Sequence, residues 1–358
     1  MQADAARAAI RPARAFFSPA MRWSVTDGWP AGEEPETAIW TLLTASPAVV
    51  VTTHHRPDGD AVGASLALWH ALTDAGVVVR FYVEPPVPAM LEFLPGLNEA
   101  LIGLDDLPAD YCLVVVDCGE FDRVGQGAAA LVSATRTVNI DHHVSNDGFG
   151  DVTFVDPQAS SCGELVYRLL SGNGRPLTAA VAECLFTAIV TDTGQFAFEN
   201  TTPAALEICA ECIRAGARPE ELADRLFLSP SPAQFELRRL ACDTVEFHAG
   251  GKVASMVVTR EMFARTGLGP VDTDRFANIP LHIHGVMTGV LLKEMPDGDY
   301  IKASMRSRAP VDVCAVAQEF GGGGHARAAG CELPGGLGEA RRVLVARLCA
   351  RVNVDEGQ

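Results

Sequence analysis

Four separated clusters in this chain put histidine or aspartate just past a strand-like apolar run or at a helix end. The first is His54-His55-Arg56-Pro57-Asp58-Gly59-Asp60, and the second is Asp117, which closes the run Leu113–Val116. The third is Asp141-His142-His143, and the fourth is Asp192 in Thr191-Asp192-Thr193-Gly194. Asp58 and Asp60 stand two apart, after a proline and around a glycine, so they sit on a turn and can converge on one centre. Uncompensated, two such carboxylates near a buried sheet edge repel each other and raise a pKa. A divalent cation resolves that conflict, and imidazole with carboxylate suits Mn²⁺, Fe²⁺ or Zn²⁺ better than Ca²⁺. Singly, each cluster has a plain structural account: a polar turn, a helix cap, a part-buried histidine pair. Four on one sheet edge do not, because in open α/β sheets the edge beyond the strands' carboxyl ends is where ligands bind.

A fifth feature lies far downstream. Gly321–Gly324 form a run whose backbone N–H groups can approach an anion closely, with His325 and Arg327 immediately beyond. Shortly before it, Ser304-Met305-Arg306-Ser307-Arg308 ends a strand-like segment, and the only three lysines, Lys252, Lys293 and Lys302, fall in the same region.

The elements that must position these groups alternate in type. Apolar β-branched runs at 48–53, 77–83, 111–116 and 136–140 read as strands, and 61–75 reads as a helix stopped by Gly76. Helices at about 123–133, 161–171 and 177–190 fall between or after them. Such alternation implies a parallel sheet with covered faces. Three segments led by Pro203, Pro219 and Pro232 read as successive helices. Beyond them, 252–259, 286–295 and 300–306 read as strands, with Pro296-Asp297-Gly298-Asp299 as a hairpin turn. Helices at 312–320 and 336–351 complete the chain.

Composition narrows the function. The chain has 358 residues, 48% hydrophobic, which suffices for two domains with cores. Its net charge of −17 argues against a general polyanion or anionic-membrane binder. Residues 1–235 carry all of it, with 13 basic against 30 acidic side chains; residues 236–358 are neutral, with 15 of each. No run approaches the ~18 apolar residues of a membrane helix. Ten scattered cysteines form no disulfide framework, so a reducing cytoplasm is the expected compartment. Cys209 and Cys212 read as two small apolar residues on one helix face. Residues 1–35, rich in Ala, Arg and Pro and without a sustained period, read as a dispensable flexible extension.

The ordered motifs H-x-x-P-D-x-D-A-x-G, V-V-V-D, D-H-H and T-D-T-G, followed by G-G-G-H, resemble the DHH phosphoesterase superfamily over roughly residues 40–350. The layout is closest to its bifunctional oligoribonuclease (nanoRNase) and pAp phosphatase branch. That resemblance implies an α/β fold with a parallel-sheet DHH domain over 36–205, a helical connector over 206–235, and a smaller α/β substrate-binding domain over 236–352. The active site is expected in the cleft between the domains. It further implies two Mn²⁺ ions, one held by His54, Asp58 and Asp117, the other by Asp60, Asp117, His142 and Asp192, with Asp117 bridging. His143 is expected to face the substrate phosphate and Asp141 to orient the histidine pair. In the C-terminal domain, Arg306, Gly322, Gly323, Gly324 and His325 are expected to grip a terminal phosphate and nucleotide.

The implied reaction is hydrolysis of short RNA to mononucleotides, or removal of the 3′-phosphate of pAp, by a bridging water activated between two metals. A cyclic-dinucleotide or pApA phosphodiesterase, and a pyrophosphatase, are the enzymatic alternatives. A nucleotide sensor without turnover is the non-enzymatic one, and the intact ligand motifs speak against it. Long-DNA binding is not expected, since the chain lacks extra DNA-binding domains and basic surface. A homodimer is compatible with this layout.

Overall fold

The computed structural model describes residues 22–25, 34–273 and 276–354. The chain divides after Leu228 into two compact units.

The first unit is built on a six-stranded sheet. Its strands are β1 (Arg22–Val25), β2 (Val49–Thr52), β3 (Val79–Tyr82), β4 (Cys112–Val116), β5 (Arg136–Asp141) and β6 (Val152–Val155), in the order β1-β6-β5-β4-β2-β3. Strands β2 to β6 pair in parallel, and β1 pairs antiparallel with β6. Val50, Val51, Val114, Val115 and Ile140 are fully buried, as expected where both faces of a parallel sheet are covered. Helices α1 (Pro35–Ala45) and α2 (Gly59–Asp74) precede two single turns, α3 (Leu97–Ala100) and α4 (Ala128–Leu131). Helices α5 (Cys162–Gly172), α6 (Ala179–Asp192) and α7 (Pro203–Ala215) follow. Their apolar faces join Val49, Val51, Val114 and Ile140 in one core; α4 helps to cover the opposite sheet face around Val50, Leu113 and Val115.

Two expectations change here. Residues 22–25, taken as part of a flexible extension, form an edge strand on β6; residues 1–21 and 26–33 lie outside the described residues. The helix expected over 123–133 is instead a 3₁₀ turn, Phe121–Val124, and then α4. Gly125, at φ +92°, breaks the helical path between them. Strand β6 and helix α1 carry too few residues of a clean period to stand out in the sequence.

The Pro-led helices divide between the units. Helix α7 buries Cys209 and Cys212 in the first core, where Leu222 of α8 (Pro219–Ala223) also packs. Helix α9 (Pro232–Cys242), closed by a capping box between Ser231 and Gln234, packs Leu237 and Ala241 into the second unit.

The second unit holds a mixed sheet in the order β11-β12-β10-β9-β8-β7. Its strands are β7 (Glu246–His248), β8 (Val253–Val258), β9 (Thr288–Glu294), β10 (Tyr300–Ser307), β11 (Gly323–His325) and β12 (Ala328–Pro334). Only β8 and β9 pair in parallel. Along β10, Ile301, Ala303 and Met305 are buried against α11 (Cys314–Gln318) and α12 (Leu337–Val354), while Lys302, Ser304 and Arg306 alternate to the opposite face. Helix α10 (Arg260–Thr266) packs Phe263 into the core on the other side of this sheet. No helix among the described residues is long and apolar enough to cross a membrane.

Candidate metal centre

Because β2, β4 and β5 are parallel neighbours, the residues that follow them emerge at one edge of the sheet. His54 lies two residues past β2, Asp117 one residue past β4, and Asp141, His142 and His143 at the end of β5. Two helix ends close on the same place. Asp58 caps α2, its Oδ1 accepting from the N–H groups of Asp60 (3.0 Å) and Ala61 (3.1 Å). Asp192 is the last residue of α6. Helices α2 and α6 approach closely because Gly63 has no side chain: a Cβ there would lie 2.6 Å from the carbonyl oxygen of Cys184.

The predicted ligands converge. His54 Nε2 is 3.5 Å from Asp117 Oδ2, and His142 Nε2 is 3.7 Å from Asp117 Oδ1, 3.7 Å from Asp192 Oδ2 and 4.0 Å from Asp60 Oδ2. Three sets of donor atoms each fall within 4.8 Å of one another: His54, Asp58 and Asp117; Asp60, Asp117 and His142, with the Cys162 thiol; and Asp117, Asp141 and His143. Asp117 belongs to all three. Its backbone sits at φ +59°, a left-handed conformation that Asp adopts more readily than most residues, and its N–H donates to Ile140.

Protonation energetics agree with a cation-binding role. Burial, then the charges of Asp117, Asp192 and Asp58, push the Asp60 carboxyl well above its ordinary range. Burial also raises Asp192, to about 6, against the opposing pull of His142. Asp117 is held low: burial opposes its charge, but the hydrogen bond from His54 and the nearby His143, His54 and His142 outweigh it. Burial opposes charge on His143 too, yet its hydrogen bond to Asp141 and the charge of Asp117 raise it to about 9. Crowded, buried carboxylates beside oriented imidazoles form a mixed oxygen and nitrogen donor set, and these fit a divalent cation.

Asp141 accepts from His143 Nδ1 at 2.7 Å. His142 is steered by the carbonyl of Ala159, 3.3 Å from its Nδ1.

Several supporting residues were not anticipated, since nothing in their spacing marks them. Asn146 donates to Asp141 Oδ2 (2.6 Å) and Asn139 Oδ1 (2.8 Å). Asn200 donates to Asp192 Oδ2 (3.0 Å) and to the Ser160 carbonyl (2.8 Å). The first N–H groups of α5, from Cys162 and Gly163, hold the two Asp60 oxygens at 2.7 and 2.9 Å, a favourable place for an anion. Behind that helix end, buried Arg168 bonds Asp156 (2.8 Å) and Glu164 (2.6 Å), and Glu164 in turn accepts from Ser160.

In the second unit, Arg306 occupies β10 opposite Ala328, with Nη1 donating to the Met305 carbonyl. The glycine run is less open than a loop. Gly323 to His325 form edge strand β11, and the Gly322 N–H is used by the carbonyl of Ala317 (2.9 Å), so Gly322 does not offer that donor to an anion. Glycine at 322 and 324 is a steric need: a Cβ would lie 2.1 Å from the Gly330 carbonyl oxygen or 2.5 Å from that of Ala328. The side chain of His325 lies outside the described structure. A hollow of about 350 Å³ is lined by Lys302, Phe320, Gly322 and Gly330.

Residues 48–189 match the DHH family, N-terminal domain, and residues 250–353 match the DHHA1 domain. The chain is 36% identical over 313 residues to the bifunctional oligoribonuclease and PAP phosphatase NrnA of Thermus thermophilus, covering 85% of this chain and 92% of that protein. The protein of the same name in Bacillus subtilis is 29% identical over 314 residues, covering 86% and 96%. Among solved structures, an exopolyphosphatase-related protein from Bacteroides fragilis is similar at a TM-score of 0.80 and 26% identity, covering 88% of this chain and 95% of that one.

Proposed function

Because the chain belongs to the DHH family and carries a DHHA1 domain behind its catalytic one, we propose that it is a Mn²⁺-dependent phosphoesterase. Its substrates are short oligoribonucleotides, cut to mononucleotides, and pAp, which loses its 3′-phosphate. The observation that carries this reading is the sharing of Asp117 between the His54–Asp58 donor set and the Asp60–His142 set.

Two divalent cations fit: His54, Asp58 and Asp117 would hold one, and Asp60, Asp117, His142 and Asp192 the other. When bound, such a pair acidifies a water and neutralises charge on the phosphoryl oxygens of an in-line displacement. The chain's own groups do the rest. His54 Nδ1 is tied to the His55 carbonyl (2.9 Å), which aims its Nε2 at Asp117, and the α5 N–H groups fix the Asp60 carboxylate. His143, with Nδ1 committed to Asp141, presents a protonated Nε2 near neutral pH, suited to a phosphoryl oxygen or a departing alkoxide. Arg306 supplies a cation for a second phosphate, consistent with the neutral charge of residues 236–358 against the acidic residues 1–235. The ten thiols, none paired, suit a cytoplasmic setting.

The test is one panel. Protein stripped of metal and reloaded with Mn²⁺ should release mononucleotide from short RNA and phosphate from pAp. Asp117→Asn, which keeps the shape but not the charge, should abolish both. A near-normal rate in that variant would reject the shared-carboxylate reading.

A further inference from the structure

Two cations of the first unit remain unused by the fold and by the centre described above. Arg56 stands between His55 and Pro57 with φ +57°, a left-handed backbone that glycine or asparagine would adopt more cheaply. Arg123 lies in the 3₁₀ turn six residues beyond Asp117. His55 ties the two segments together. Its N–H and its Nδ1 both meet the Arg123 carbonyl, at 2.7 and 2.8 Å. The backbones of Arg56 and Arg123 therefore run side by side, next to His54. Both side chains are exposed, and neither guanidinium makes a hydrogen bond or ion pair among the described residues. The charge of Arg123 is felt at His143, working against its protonation.

A long cationic side chain at a strained position, beside a second one, has no structural reason to be there. Two arginines carried on adjoining backbones can close on one anion, and phosphate oxygens match their planar donor fork. We propose that Arg56 and Arg123 form a phosphate subsite for the nucleotide beyond the bond being cut, so that they act on chains of three nucleotides or more.

This inference rests on the phosphoesterase reading, and it is what phosphate arithmetic leaves over. In pAp or a 5′-phosphorylated dinucleotide, one phosphate is the reacting group at the metal centre and the other is assigned to Arg306. A 5′-phosphorylated trinucleotide brings one more, and Arg56 and Arg123 are two exposed cations held next to His54 through His55.

The experiment compares 5′-phosphorylated di- and triadenylate, and pAp, on the Mn²⁺-loaded full chain and the double variant R56Q/R123Q. Loss of two charge-assisted contacts should raise KM for the trinucleotide about tenfold or more. KM for the dinucleotide and pAp should stay within about twofold, since neither presents the extra phosphate. Mn²⁺ content and melting temperature should be unchanged, because both side chains are exposed. R56K/R123K, which keeps the charges without the fork, should recover part of the trinucleotide loss. An unchanged trinucleotide KM overturns the proposal. So does an equal loss on all three substrates, which would place the arginines at the reacting phosphate. If the wild-type chain turns over none of them, the phosphoesterase reading itself fails.

Discussion

Gly59 and Thr191 are packed so closely that a Cβ on Gly59 would lie 2.4 Å from Thr191 Oγ1. Each is flanked by predicted ligands: Gly59 by Asp58 and Asp60, Thr191 by Asp192. Thr191 cannot easily move aside, because its hydroxyl donates to the carbonyls of Thr187 (2.8 Å) and Ala188 (3.0 Å) and its side chain is β-branched. The contact thus sets the spacing between the start of α2 and the end of α6, and with it the distance between the carboxylates.

Gly59→Ala should therefore lose function through geometry, with every ligand still present. Overpacking of this kind costs about 1–3 kcal/mol, which a thermal melt will register. Mn²⁺ affinity should fall at least about tenfold, since the added methyl lies between Asp58 and Asp60, which belong to different donor sets; calorimetric titration measures it. Wild-type affinity in this variant would show that the helix contact does not set the site.

That example also marks how far the sequence is legible. Asp58, Asp60, Asp117, His142 and Asp192 could be picked out because each carboxylate or imidazole follows a strand-like run or ends a helix, and strand-end placement obeys a topological rule. The N–H groups of Cys162 and Gly163 that hold Asp60 carry no side-chain signal, and they lie about a hundred residues away in the chain. Asn146 and Asn200 are equally silent, since an isolated asparagine reads as a turn. Strand β11 was missed for the opposite reason: four glycines suggest freedom, whereas here glycine permits the close approach to β12 that a side chain would block. Edge strand β1, four residues long, is defined only by its partner β6.

The metal-free protein should have an inverted pH profile of stability. Asp192, raised to about 6 in the fold, binds its proton more tightly there than in the unfolded chain, so it favours folding at acid pH and loses that contribution as pH rises through about 6. Asp60 acts in the same sense. His143, raised to about 9, contributes fully below about 6.5 and loses that contribution as pH rises through about 9. The low-lying Asp117 works the other way, but only below its ordinary range near 3.8. In EDTA the melting temperature should therefore decline from pH 6 to pH 9, and Mn²⁺ should raise it most at the alkaline end, where the carboxylates are charged. A melting temperature that climbs over this range in EDTA would contradict the assignment.

Arg306→Ala should separate substrate grip from metal binding. An Arg–phosphate contact contributes roughly 1.5–3 kcal/mol, about 10- to 150-fold in affinity. KM on pAp should rise by that factor, with Mn²⁺ content intact because arginine is not a ligand. Arg306→Lys should recover only part of it. Pyrophosphate, small enough to be held by the metals alone, supplies the contrast as a competing ligand: its inhibition constant should barely move.

Asp141 and Asn146 make the last prediction, which concerns His143. Asp141 is fully buried, accepting from His143 at one oxygen and from Asn146 at the other, so its charge and direction are both fixed. Its hydrogen bond, the charge of Asp117 and its own charge lift His143 to about 9 against burial. In Asp141→Asn the anion is gone, and the imidazole should fall back towards or below its ordinary value of about 6.5. The alkaline limb of the kcat/KM profile should move down with it. At pH 8 the rate should drop by about 10²-fold or more, the usual contribution of a positioned proton donor. At pH 6 the deficit should be smaller, because part of the histidine is again protonated. Asn146→Ala should shift the limb the same way by a lesser amount, having removed one hydrogen bond and left the charge. Mn²⁺ content separates this account from its rival: if Asp141→Asn sheds metal while the alkaline limb stays put, Asp141 is itself a ligand and does not act through His143.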